Sequence, residues 1–399
     1  MYNGSTFRGR IVTATLDVPD GVVAVDGGLV TFAGPAAEFP GVLSGDGPAD
    51  RIILPGLVDL HCHGAHGADF SHNDLSGARQ AVQYLHSQGT TTLLASLVTG
   101  KPRELIRALG ILKELTEQGL IAGSHLEGPF LAPQQCGAHD PGLLLTPDPD
   151  LVVQLMAAAG DSLRSMTLAA ELTGASGLVD QLSARGVIPS LGHTAADHST
   201  AAAFLARAAA GLASSTKGNG RTRPTVTHLF NAMPPLHHRS PGPVSASLGA
   251  ARAGEAVVEL ISDGVHLAPE TVKLVFDLVG ADNIALVTDA MAATGLDDGT
   301  YRLGSLSVTV HHGAARVDGT DAIAGGTATL LEVVRATVAA GVSLREAVKS
   351  ASAVPAAVLG LSGKAGDLRP GVHADLILLD QGLNLTGVLR RGEWVHEAG

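Results

Sequence analysis

Aromatic side chains are scarce in this chain, at 3% of 399 residues with a single Trp. Any core must therefore be built from aliphatic residues. Charge is sparse as well: charged residues make up 16%, and the formal balance is −12. With no extended basic stripe to neutralise phosphates, nucleic acid is excluded as a partner. An anionic small substrate would need a local cationic pocket against the overall field. The two cysteines, Cys62 and Cys136, form no disulfide or zinc framework, which points to a reducing compartment. No basic segment followed by an apolar stretch opens the chain, and no run resembles a membrane-spanning helix. The expectation is a soluble cytoplasmic protein with no membrane partner.

What is abundant is aliphatic and turn-forming sequence: 45% apolar residues, 50 Gly and 20 Pro. Residues 1–50 read as short strands (10–15, 22–25, 29–32), and so does the tail (374–379, 393–396). Neither end has enough strands to stand alone. The reading is a small β-sandwich domain made from both termini, 1–52 plus 365–399. Between them strands at 53–60, 91–98, 121–127, 165–170, 187–191, 225–229, 256–261 and 284–288 alternate with helical patterns at 71–88, 102–117, 149–159, 195–210, 269–279 and 327–340. Alternation of this kind implies right-handed βαβ units. The expected fold is α/β, a (β/α)₈ TIM barrel over 53–364. Three stretches read as excursions from it: 131–148, 215–224 and 297–321.

Several apolar runs end on metal-ligand side chains. His61 and His63 share one face of a strand because strand side chains alternate, with Cys62 on the other; a polar turn is the alternative. Glu127 closes an apolar strand, where a carboxylate is costly unless paired with a cation. An Arg salt bridge is its bland reading. His193 and His228 each end a strand, and singly each reads as a core histidine. With Glu127 they make a catalytic metal set that leaves a position for water. Asp289 stands where strand eight should end, placed to accept and return a proton; a helix cap or ion pair is its alternative. Asp263 and His266 follow strand seven, suited to contacting substrate. Arg239, beside His237 and His238, is a candidate phosphate or carboxylate clamp. Lys217, Arg221 and Arg223 read as a solvated, mobile loop, and Cys136 as a loop thiol.

The segments LPGLVDLHCHG, HLEGPFL, GAHDP, SLGHT, THLFNAM, HHRSPGP, DGVH, LVTDAM and AGGT resemble those of the N-acetylglucosamine-6-phosphate deacetylases of the amidohydrolase superfamily. The resemblance runs from about residue 53 to 380. It implies hydrolysis of the acetamide, giving acetate and the 6-phosphorylated amino sugar. It implies Glu127, His193 and His228 as holders of the principal metal and Asp289 as acid/base. His61 and His63 would hold a second ion with Glu127 bridging, as in the two-metal branch. Ala138, His139, Asn231, Ala232, Arg239, His266, Ile323, Ala324 and Gly325 would contact the sugar phosphate, with His139 helping to stabilise the oxyanion. It also implies a homodimer in which Arg239 reaches the neighbouring subunit's substrate. Zinc suits the ligands; iron, manganese, cobalt and cadmium are alternatives. The insert at 215–224 and Cys136 depart from the family pattern.

Two other readings compete. A cyclic-amide hydrolase of the dihydroorotase or hydantoinase type usually bridges its metals with a carboxylated Lys, and none of the six lysines here closes an interior strand. A non-catalytic barrel could have dropped ligands or the acid/base, yet this chain retains all of them.

Overall fold

The computed structural model describes residues 4–41, 50–72, 74–217 and 223–397. Eight parallel strands follow one another in chain order around a single sheet: Leu57–Cys62, Thr90–Leu97, Gly123–Glu127, Leu163–Leu168, Ile188–Leu191, Thr225–Val226, Val257–Leu260 and Ile284–Leu286. The sheet closes into a barrel where Cys62 bridges Ala290 in parallel. There the Asp289 amide donates to the His61 carbonyl at 2.9 Å. Six of these strands are buried at every position, as expected for parallel strands covered on both faces.

The helices form the outer layer, and their ends follow local chemistry. Pro102–Glu117 starts with Pro at its first turn, and Glu104 accepts from the Lys101 amide. Its buried Leu105, Ala108, Leu109, Leu112 and Leu115 recur every three or four residues, one stripe facing the barrel. Ala175–Ala184 and Gly242–Arg252 are helices that the sequence reading did not include. Both open at Gly, and the second follows Ser240 and Pro241, a pattern that reads as a turn.

The expected run at 53–60 is two strands. Ile52–Pro55 pairs with Arg10–Ile11 and with Leu376–Leu379, whereas Leu57–Cys62 opens the barrel, so the chain passes between sheets at Gly56. The terminal sheet has seven strands in the spatial order Glu393–Glu397, Leu385–Arg390, Leu376–Leu379, Ile52–Pro55, Ser5–Val12, Asp17–Asp26 and Leu29–Pro35. Period-two alternation gives it two apolar faces. Ile53, Leu376 and Leu378 pack with Phe7, Val23 and Leu389, while Ile52, Leu54, Ile377 and Leu379 join the barrel core. The 297–321 excursion carries a three-stranded antiparallel sheet, Gly299–Leu303, Leu306–His311 and Ala314–Val317. Arg221, with half of the insert, lies outside the described residues. Lys217 is exposed, and Arg223 donates to Asn283 Oδ1 (2.6 Å) and the Asp282 carbonyl (2.8 Å), so that end of the insert is tethered to the fold. No helix among the described residues is long and apolar enough to cross a membrane.

Candidate active site

Strand ends of the barrel deliver the polar side chains to one place. Asp59, His61 and His63 alternate with apolar neighbours along the first strand and its end, and so project to one side. Glu127 is the last residue of the third strand. His193, His228 and Asp289 lie two or three residues past their strands, and each has a left-handed backbone, with φ of 47°, 27° and 49°. Non-glycine residues rarely occupy this region, and strain of this kind gathers at functional sites.

Glu127 is the hub. Its Oε1 lies 3.0 Å from His193 Nε2 and 2.9 Å from His228 Nε2, and those two nitrogens are 3.1 Å apart. Its Oε2 lies 3.1 Å from His63 Nε2, 3.6 Å from His61 Nε2 and 3.2 Å from His139 Nε2. His61 Nε2 and His63 Nε2 are 2.9 Å apart, and Asp289 Oδ1 is 3.3 Å and 3.2 Å from them. Tetrahedral donors about 2.0–2.1 Å from one ion would stand about 3.3 Å apart. The spacing of both pairs fits a divalent cation, with Glu127 common to the two positions.

The outer ring atoms set the tautomers. His193 Nδ1 donates to the Gln135 carbonyl (2.8 Å), which leaves its Nε2 lone pair facing Glu127. His139 is the reverse. Its Nδ1 accepts from the Thr99 amide (3.3 Å), so the neutral ring carries its proton on Nε2 and suits a hydrogen-bond donor, not a ligand. Burial depresses its pKa to about 4 against the pull of Glu127.

The cluster attracts positive charge. Burial opposes protonation of His63, yet hydrogen bonds to Asp289 and Glu127 carry its pKa up to about 9. Burial likewise opposes ionisation of Glu127, but His61, His139 and His193 hold its carboxyl well below the usual carboxylate range. Asp289 is held below that range by His61 and His63, again against burial. Among the described residues, no Lys or Arg forms an ion pair with Asp59, Glu127, Glu259 or Asp289, all of them buried. The Arg salt bridge considered for Glu127 is therefore not what holds it.

Above the cluster is a cavity of about 320 Å³, at the small end of the usual range for small-molecule sites. Of the sequence-predicted residues, His63, Glu127, Ala138, His139, His193, His228, Asn231, Ala232, His266, Asp289, Ile323 and Gly325 line it. His61 lies fully buried beneath. Ala324 is buried in a neighbouring cluster with Met291 and Val308. Arg239 is exposed, with one guanidinium nitrogen 2.8 Å from His238 Nε2, and does not line the cavity. Among the described residues no Lys or Arg lines it, and all six lysines are described, which leaves no carboxylatable lysine at the cluster. His266 Nδ1 lies 2.8 Å from Asp263 Oδ2, which fixes its ring. The Ile323–Gly326 segment is clamped on Asp289, because the Gly326 amide donates to the Asp289 carbonyl at 2.7 Å.

Sequence reasoning missed Glu259, Asp59, Thr99 and Gln135. Asp59 and Glu259 did leave a signal, a lone carboxylate inside an apolar run. Gln135 left none, because it acts through its backbone carbonyl, and Thr99 left none, because its amide and hydroxyl meet His139 Nδ1 only once the barrel has folded.

An amidohydrolase family model matches residues 52–395. The N-acetylglucosamine-6-phosphate deacetylase of Bacillus subtilis (strain 168) is 34% identical over 397 residues, covering 96% of this chain and 94% of its own. The N-acetylgalactosamine-6-phosphate deacetylase of Escherichia coli O157:H7 is 33% identical, covering 86% of this chain and 87% of its own. The structure of a point mutant of the N-acetyl-D-glucosamine-6-phosphate deacetylase of Mycobacterium smegmatis, in complex with N-acetyl-D-glucosamine-6-phosphate, superposes with a TM-score of 0.90 at 38% identity, covering 98% of this chain and 99% of its own.

Proposed function

The chain belongs to the amidohydrolase family, and we propose that it removes the acetyl group from N-acetylglucosamine-6-phosphate, releasing acetate and glucosamine-6-phosphate. The observation that carries this reading is the Glu127 carboxylate set between two imidazole pairs, with Asp289 facing the same cavity.

Glu127, His193 and His228 would hold one divalent ion, and His61 and His63 a second, with Glu127 shared. The imidazole-rich donor set suits zinc, and iron, manganese, cobalt or cadmium fit the same donors. When bound, such an ion acidifies water and polarises an acyl oxygen. The remaining work falls to side chains. Asp289, held ionised by its imidazole neighbours, takes a proton from the attacking water and passes it to the departing amine nitrogen. His139 presents its Nε2 proton to the acyl oxygen as negative charge develops there. Asn231, Ala232, His266 and the Ile323–Gly325 segment flank the sugar.

Among the described residues, this chain's own cavity wall offers the phosphate no Lys or Arg. We assign that role to Arg239 of a second copy, which makes the enzyme a homodimer. Residues 53–364 would then be the catalytic unit, with 1–52 and 365–399 as its buttress. The deciding experiment measures acetate release from the 6-phosphates of N-acetylglucosamine, N-acetylgalactosamine and N-acetylmannosamine, and from unphosphorylated N-acetylglucosamine. The gluco-configured phosphate should be turned over fastest and the unphosphorylated sugar poorly. No acetate from any of the three phosphates would refute the assignment.

A further inference from the structure

Glu259 is a carboxylate in the middle of an apolar strand, Val257–Leu260, and is only 3% exposed. Its Oε2 lies 3.3 Å from His61 Nδ1, and the same oxygen accepts from the His228 amide at 3.3 Å. One oxygen thus touches a member of each imidazole pair, from the side away from the cavity. The four imidazoles are not supported equally. His193 rests on a neutral carbonyl, while the Nδ1 atoms of His63 and His228 are buried with no hydrogen-bond partner among the described residues. Among the described residues, His61 alone of the four has a carboxylate behind its ring. A carboxylate there keeps the proton on Nδ1, points the Nε2 lone pair at His63, Glu127 and Asp289, and raises the ring's basicity as a ligand.

We propose that Glu259 is a positioning residue that, acting through His61, sets how tightly the His61–His63 position holds a divalent cation while leaving the His193–His228 position nearly unchanged. This rests on the two-position reading of the cluster given above. Among the described residues, Asp59, Glu127, Glu259 and Asp289 form no ion pair with Lys or Arg, which leaves the imidazoles and the cations they hold to face these carboxyl groups.

The test is metal content per chain, by elemental analysis of purified holoenzyme dialysed against increasing chelator. Wild type should retain two ions. Glu259→Leu, which removes the acceptor, should release one of them at roughly 10- to 100-fold lower chelator while the other stays. Glu259→Gln keeps an acceptor oxygen without its charge and should fall between. In a His61→Ala background, which already lacks that position, Glu259→Leu should change nothing further. The proposal is overturned if Glu259→Leu keeps both ions with the wild-type profile. It is equally overturned if the substitution loosens the remaining ion in the His61→Ala background, or if wild type holds one ion whose retention is indifferent to His61→Ala. Metal content is read without turnover. A wild type that binds two ions but releases no acetate would defeat the functional assignment and leave this proposal standing.

Discussion

At Asp289 two buried imidazoles, not solvent, set the protonation state. Burial alone would favour the neutral acid, but His61 and His63 outweigh it and keep the carboxylate ionised at neutral pH, ready to accept a proton. Asp289→Asn removes that capacity while preserving shape. It should retain bound metal and the wild-type melting temperature, and lose about 10²- to 10⁴-fold in kcat as read by acetate release. A variant with native turnover would remove Asp289 from the proton path. At this scale the sequence was readable where charge met apolar sequence: Glu127, His193, His228 and Asp289 all announce themselves by closing aliphatic runs. It was silent about Thr99, whose backbone amide fixes the tautomer of His139 and so turns that ring into a donor.

Elements near the site are held by backbone geometry. Gly325 sits at φ +74°, and a Cβ there would come within 2.8 Å of the Asp289 carbonyl oxygen. Gly325→Ala should therefore push the Ile323–Gly326 segment off Asp289. Denaturant titration should show a loss of about 1–2 kcal/mol, with lower kcat; unchanged values for both would mean the segment is free to give. Farther away, His86 in the last turn of the Leu75–Ser87 helix is buried, and its pKa falls to about 3 because of that burial, with Arg390 adding to it. Its folded pKa lies below the unfolded value near 6.5. Between the two, the unfolded chain binds a proton that the folded chain refuses. Stability is then full above pH 6.5 and declines as pH drops toward 3, by at most about 1.4 kcal/mol per pH unit from this group. His86→Leu should flatten the fall in urea midpoint between pH 7 and pH 5 relative to wild type, and parallel curves would contradict this. Element boundaries were legible where caps and Pro marked them, as in Pro102–Glu117. They failed where Gly and Pro sit inside an element, as at Gly242–Arg252, because local turn chemistry and helix starts use the same residues.

The whole molecule joins a closed barrel to a sheet that shares one apolar face with it. If two copies complete each other's phosphate sites, Arg239→Ala and Asp289→Asn should each be nearly inactive on the phosphorylated sugar. Co-expressed, they should recover roughly a quarter of native activity, since half of randomly formed dimers carry one intact site. Mixed dimers without recovery would place Arg239 outside the partner's site. The alternation of aliphatic strands with amphipathic helices committed this chain to a parallel sheet covered on both faces, and the Cys62–Ala290 bridge closes it into a barrel. The ligand types at the strand ends committed it to binding a cation. Folding chose the pairings: which oxygen of Glu127 meets which imidazole, that Glu259 stands behind His61, and that no Lys or Arg among the described residues lines the cavity. Those depend on angstrom-scale distances between residues up to about two hundred positions apart, and residue order carries no such metric until the barrel closes.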